Sequence, residues 1–461
     1  MPIATVNPAT GETVKTFDPL SAEEIDTRLE RAAQTSTRYR WTTWAQRRAW
    51  MTTAADILDA DLETIARIMT LEMGKPIGEA RAEVTKCAKA CRFYAAEAGG
   101  FLADAEAPAA AVNATRAFVR YQPLGPVLAV MPWNFPLWQA MRFAAPALMA
   151  GNVALLKHAS NVPQTAMLME DLFRRAGFPD GVFQTLLIGS DQVESVLRDP
   201  RVKAATLTGS TPAGRAIGRV AGDEIKPSVL ELGGSDPFVV MPSADVARAA
   251  EVAVRSRCQN NGQSCISAKR FIVHDDVADD FQRRMVERMA ALVVGDPMDE
   301  ATDIGPLATS AGRDDLEELV ADAVSKGAAI LCGGHRPASP GWYYPPTVIV
   351  DVTPDMRMFG EEVFGPVAQL HRVPSIGEAI RVANATDFGL GSNAWTNDPG
   401  EAERFIAELD AGAVFVNGMT TSFPQLPFGG VKQSGYGREL AAHGIRAFCN
   451  AKTVWVDGPG I

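Results

Sequence analysis

The stretch NVALLKHASNVPQTAMLMEDLFRRAG, residues 152–177, holds the unit from which the fold is read. It opens on an apolar run that does not alternate with polar residues, as a strand covered on both faces requires. A polar turn follows, then an apolar pattern of helical period with Pro163 near its start and Gly177 at its end. The same alternation extends outward on both sides. "GPVLAVMP", "FQTLLIG", "AATLTGS" and "PSVLELGG" read as further buried strands, separated by helical stretches. Strand–helix alternation implies βαβ units and a parallel sheet, hence an α/β fold.

After about residue 270 a second α/β set follows, in "RFIVHD", "AAILCGG", "TVIVDV", "PVAQLHRV" and "AVFVNG". Residues 20–100 read as mostly helical, and "SAEEIDTRLERAAQ" offers Ser21 as an N-cap with acids in the first turn. In "RAEVTKCAKACRFYAAEA", Cys87 and Cys91 stand one helical turn apart, a spacing that suits inter-helix packing. "VNATRAFVRYQP" at 112–123 and the tail "AKTVWVDG" look like extra strands outside both sheets, suited to pairing between subunits.

The 461 residues suggest two to four domains. A net charge of −11 argues against nucleic acid or an anionic membrane as the main partner, and no apolar run is long enough to span a bilayer. The N-terminus lacks a basic start and an apolar core, so no signal peptide is expected. Six scattered cysteines without a CxxC pair fit neither a zinc cage nor a disulfide framework; reduced thiols in the cytoplasm are expected. The five histidines show no metal spacing, and no metal is expected.

One cysteine stands apart. Cys265 lies in "NNGQSCIS" at 260–267, whose polar residues and glycine read as a tight turn with accessible amides, a setting for a reactive thiol. Three features bear on it. "SVLELGGSDP" at 228–237 places Glu231 in an apolar strand, where burial raises its pKa toward that of a general base, unless it is ion-paired. "MPWNFPLW" at 131–138 frames Asn134 between prolines at a strand-to-helix junction, where its amide is either an oxyanion donor or a helix cap. "TLTGSTPAGRAIG" at 206–218 is a glycine turn entering a helix, whose amides suit a pyrophosphate. No Cys-His or Ser-His-Asp arrangement is evident.

"PWNFP", "LTGSTPAG", "LELGGSDP", "NNGQSC", "EEVFGPV" and "PFGGVKQSGYGRE", in this order, resemble the aldehyde dehydrogenase superfamily along nearly the whole chain, and within it the bacterial NADP-dependent succinate-semialdehyde dehydrogenases. The resemblance implies a doubly wound, Rossmann-like cofactor domain (residues 1–103 and 123–232), an α/β catalytic domain (233–445) and a small β arm (104–122 and 446–461) that joins subunits as dimers or tetramers. It implies that Cys265 attacks the aldehyde as a thiolate and that Asn134 and the Cys265 amide hold the oxyanion of the thiohemiacetal. After oxidation to a thioester, Glu231 activates water to release the acid. For the cofactor it implies Trp133 and Lys157 beside the adenosine, Gly209 and Ser210 at the pyrophosphate, and Leu232, Glu362 and Phe364 around the nicotinamide and its ribose.

Departures from the family pattern set the finer expectations. Ser160 stands where NAD-preferring relatives often carry a Glu that binds the adenosine ribose. Without that carboxylate, repulsion of a 2′-phosphate worth ~1–4 kcal/mol is gone while Lys157 remains to attract it, so NADP is expected over NAD. Trp138 and Arg142 are i,i+4 on the helix after Asn134 and are expected to face one tunnel; the resemblance implies that Ser422, in "TTSFPQLPF", adds a hydroxyl donor, and together they point to an aldehyde that carries a carboxylate, succinate semialdehyde foremost. Gln259 replaces a carboxylate-binding Arg of some relatives, and Ser267 replaces a second cysteine. Glutarate semialdehyde, a broad aldehyde range and a catalytically silent structural relative stand as alternatives. A CoA-acylating enzyme would be expected to lack Glu231.

Overall fold

The computed structural model describes residues 2–458. Residues 459–461, the end of the expected arm, lie outside the described residues. Two mainly parallel sheets carry the architecture. In the first, the strand order is Gly435–Tyr436, Ser228–Glu231, Ala204–Thr208, Pro126–Met131, Val153–His158, Phe183–Thr185. The last five pair in parallel, and Gly435–Tyr436 joins antiparallel. Counted along the chain, those five strands run 5-4-1-2-3, so the winding reverses between Pro126–Met131 and Ala204–Thr208. That reversal opens a crevice at the carboxyl ends of the two strands, the place where such sheets bind ligands.

The second sheet has the order Ala329–Cys332, Thr347–Val350, Val367–Val373, Ala268–His274, Asp236–Val240, Asn393–Trp395, Phe415–Val416, parallel except at its first pair. Two of its strands, Asp236–Val240 and Asn393–Trp395, escaped the sequence reading. The first carries Pro237, which removes a ladder donor and argues locally against a strand; the register shifts at that residue.

Helices Ala22–Tyr39, Trp44–Ala60, Leu62–Met73 and Ile77–Phe101 fill the region expected to be helical. Ser21 closes a capping box with Glu24, in which each side chain bonds the other's backbone N–H. Cys87 and Cys91 are buried in the core, Cys91 against Met141. The helix Pro163–Arg175 has its proline at the first turn, as read from the sequence. Strands Ala105–Glu106, Arg116–Pro123 and Cys449–Val456 form a separate antiparallel sheet. Gly435–Tyr436, grouped by sequence with the later α/β set, instead extends the first sheet beside Glu231. The chain thus returns to the first sheet before it enters the arm. No described helix is long and apolar enough to cross a membrane.

Candidate active site

The crevice at the winding reversal holds a cavity of about 280 Å³. Trp133 follows the strand Pro126–Met131, and Gly209 and Ser210 follow Ala204–Thr208. These three line the cavity with Leu232, Glu362 and Phe364, and Cys265 and Asn134 share its wall. Trp133 and Phe364 meet edge to face with ring centroids 5.7 Å apart. Ser210 caps the helix Thr211–Asp223, so the positive end of that helix faces the crevice. Glu362 accepts from the Gly234 amide at 3.0 Å and pairs at 3.4 Å with Lys269, a buried cation the sequence reading did not single out.

The loop before Cys265 is buried, not the open turn its composition suggests. Asn260, Asn261 and Gly262 adopt successive left-handed conformations (φ of 56°, 56° and 73°). A Cβ on Gly262 would sit 2.4 Å from the Gly365 carbonyl carbon, so only glycine fits. The polar side chains act as internal hydrogen-bonding groups. Asn261 Nδ2 donates to the Gly74 and Pro306 carbonyls, both at 2.9 Å, and Gln263 Oε1 accepts from the Ala308 amide at 3.0 Å. The loop is polar because buried strained backbone must be held from all sides. Cys265 itself is half-buried; burial pushes its thiol up to about 12 despite the pull of Arg142 and Lys269.

Asn134 is also buried, 4% exposed. One Nδ2 hydrogen goes to the Gln263 carbonyl at 3.1 Å, leaving the second for a ligand. Asn260 Nδ2 donates to the Asn134 carbonyl at 2.7 Å and ties the two loops together. Asn134 does not cap the next helix, which begins at Trp138; Glu83 Oε1 does so, accepting from the Leu137 and Trp138 amides at 2.9 and 2.8 Å. His158 Nε2 donates to the Pro136 carbonyl at 2.7 Å, and burial holds this imidazole neutral with a pKa lowered to about 4.

Glu231 is 1% exposed, and neither of its carboxylate oxygens has a hydrogen-bond partner. Burial first, then Glu439, drives its pKa well above the ordinary 4.5, while Arg142 and Arg438 pull the other way. Arg142 does not line the cavity. It forms a buried ion pair with Glu439, approaches Thr208 Oγ1 at 3.3 Å, and stacks over Phe428. Trp138 does not line the cavity either; what is corrected is the expectation of an Arg142 charge free for a substrate anion, since Glu439, just after the returning strand, already meets it. Lys157, at the carboxyl end of its strand, is 7% exposed and makes no ion pair or side-chain hydrogen bond among the described residues. Ser160 is half-buried nearby, with its carbonyl accepting from the Ala4 amide.

A crevice at the winding reversal, a thiol on its wall and a buried carboxyl group without a hydrogen-bond partner agree with the comparisons. The aldehyde dehydrogenase family model matches residues 1–454. This chain belongs to that family. A protein named succinate-semialdehyde dehydrogenase [NADP(+)] from Mycobacterium avium is 63% identical over 457 residues, covering 99% of this chain and 97% of that one. A relative from Mycobacterium tuberculosis with the same name and the suffix 1 is 63% identical over 456 residues, covering 99% and 100%. The crystal structure of succinic semialdehyde dehydrogenase from Streptococcus pyogenes in complex with NADP+ superposes with a TM-score of 0.96 at 37% identity, covering 99% of this chain and all of that one.

Within this aldehyde dehydrogenase, the remaining expected residues form a group of their own. Ser422 Oγ accepts from Trp138 Nε1 at 3.0 Å and from Lys86 Nζ at 2.8 Å. Lys86 was missed from sequence because its helix reads as amphipathic packing, and nothing local marks one lysine of that helix as turned inward.

Proposed function

We propose that the chain oxidises succinate semialdehyde to succinate with NADP+, through Cys265. The observation that carries this reading is the sharing of one cavity at the winding reversal by Cys265, Asn134 and the six cofactor-side residues. The names of the 63% identical relatives point to the same substrate and cofactor. Lys157, outside the residues that line that cavity, is a buried lysine with no ion pair or side-chain hydrogen bond among the described residues, and a 2′-phosphate would supply a partner.

The thiolate of Cys265 adds to the aldehyde carbon, and the electron pair of the carbonyl bond moves to oxygen. That oxyanion takes the second Nδ2 hydrogen of Asn134 and the Cys265 amide, donors fixed beforehand by the loop network. When bound, NADP+ supplies the hydride acceptor. The resulting thioester on Cys265 is hydrolysed by water whose proton passes to Glu231, which restores the thiol and releases the acid. Burial raises the Glu231 pKa well above the ordinary 4.5, which makes it a stronger base for this step.

The units 1–103 with 123–232, 233–445, and 104–122 with 446–461 serve as cofactor, catalytic and subunit-joining parts in this proposal, with Gly435–Tyr436 crossing back between the first two. The arm's exposed outer strand, Cys449–Val456, is suited to pairing in a homodimer or homotetramer. Six free thiols suit the reducing cytoplasm. The test is a panel of succinate semialdehyde, glutarate semialdehyde and pentanal with NADP+ and NAD+, followed by absorbance of the reduced cofactor. Succinate semialdehyde with NADP+ is expected to give the highest kcat/KM; a higher value for pentanal, or for NAD+, would refute the substrate or the cofactor assignment respectively.

A further inference from the structure

We propose that Lys86, on the helix Ile77–Phe101, is the cation that receives the substrate carboxylate, with the Ser422 hydroxyl as its companion donor. The inference rests on the proposed substrate and replaces Arg142 in that role. The argument is a count of donors and acceptors. Ser422, 2% exposed, already accepts two hydrogen bonds, from Trp138 Nε1 and Lys86 Nζ. Its own O–H donates to nothing among the described residues. Lys86 Nζ has three hydrogens and uses one, on Ser422. It lies 4.2 Å from the centre of the Trp138 ring, and no carboxylate among the described residues reaches it within ion-pair distance. The cluster thus holds one unpaired positive charge and three unused donor hydrogens, with no acceptor among the described residues to match them.

Lys86 is half-buried while Ser422 and Trp138 are almost fully enclosed, so a ligand that displaces water from the cluster must itself meet the charge and the donors. A neutral ligand would satisfy the hydrogen bonds and leave the charge; a carboxylate satisfies both. The cluster also stands in the right place. Trp138 begins the helix four residues after Asn134, and Lys86 is within electrostatic reach of the Cys265 thiol. Arg142 cannot serve equally, because Glu439 already neutralises it. Burial lowers the Lys86 pKa to about 8, helped by Arg142, while Glu83, Cys87 and Cys265 oppose the shift. Lys86 is therefore poised to lose its charge just above neutral pH.

The test compares kcat/KM for succinate semialdehyde with that for pentanal, an aldehyde of the same number of heavy chain carbons plus one and no carboxylate. In Lys86→Met the ratio of the two is expected to fall ten- to a hundredfold through KM for succinate semialdehyde, and Lys86→Arg is expected to recover most of it. An unchanged ratio in Lys86→Met overturns the proposal. If that variant does not fold, the unmodified enzyme decides: between pH 7 and 9.5 the KM ratio is expected to rise about 30-fold as Lys86 loses its proton. Cys265 and Glu231 act on both aldehydes alike, so a flat ratio overturns the anchor. An unmodified enzyme with no preference for succinate semialdehyde at pH 7 would instead refute the proposed function itself.

Discussion

Arg142 and Glu439 face each other as an ion pair with side chains only 2% and 5% exposed, and Glu231 lies within their field. Three charged groups thus share one enclosure: two acids and one guanidinium, with Arg438 acting on Glu231 from further out. The guanidinium is committed to Glu439, which leaves Glu231 without a hydrogen-bond partner among the described residues. Burial and the Glu439 charge together raise its pKa, the direction a general base needs.

Arg142→Met should destabilise the protein, because it strands Glu439 in an apolar enclosure; losing one partner of a buried pair costs about 3–5 kcal/mol. Replacing both, as Arg142→Met with Glu439→Leu, should restore much of the loss. Thermal unfolding of the three proteins checks this. A single variant with unchanged unfolding and a sharply raised KM for succinate semialdehyde would return Arg142 to the role of anchor.

Glu231→Gln should separate the two halves of the reaction. One equivalent of reduced cofactor per active site appears at near-normal speed, and turnover then falls by roughly 10²–10⁴-fold as the thioester persists. Stopped-flow absorbance shows the burst. The same variant should be more heat-stable than its parent at pH 8, with the gain fading toward pH 4. The carboxyl's folded pKa lies above its ordinary 4.5. The stability it contributes is therefore complete below 4.5 and lost as pH rises through the folded value, whereas glutamine does not titrate.

Glu439→Gln removes the negative charge that raises Glu231 and frees Arg142 to pull it down. The acidic limb of the kcat profile should move to lower pH. A limb that stays in place would mean that hydrolysis is not governed by Glu231.

Ser160→Glu should lower kcat/KM for NADP+ by about tenfold or more relative to NAD+, from ~1–4 kcal/mol of repulsion at the 2′-phosphate. Lys157→Ala should act in the same direction by removing the attraction. Equal losses with both cofactors would place these residues away from the 2′ position.

Alkylation of Cys265 by iodoacetamide in the absence of cofactor should accelerate about tenfold per pH unit from 7 to 9 without levelling, since the thiol titrates near 12 and only the thiolate reacts. Labelling monitored by mass spectrometry measures it. A plateau near pH 7 would reveal a thiol already ionised in the resting protein.

The sequence by itself determined the parts whose causes are local. Continuous apolar runs marked Pro126–Met131, Val153–His158 and Ala204–Thr208 as buried strands, and Ser21 with Glu24 marked a helix start. The order of motifs placed Cys265, Asn134 and the cofactor-side residues that now share one cavity. Tertiary structure decided what long-range packing sets. Charge pairing has no period along the chain, so nothing near Arg142 announced Glu439 as its partner, and nothing near Lys86 announced Ser422. The polar loop 260–264 looked exposed because composition records which groups need hydrogen bonds, whereas only the fold shows whether water or buried carbonyls satisfy them.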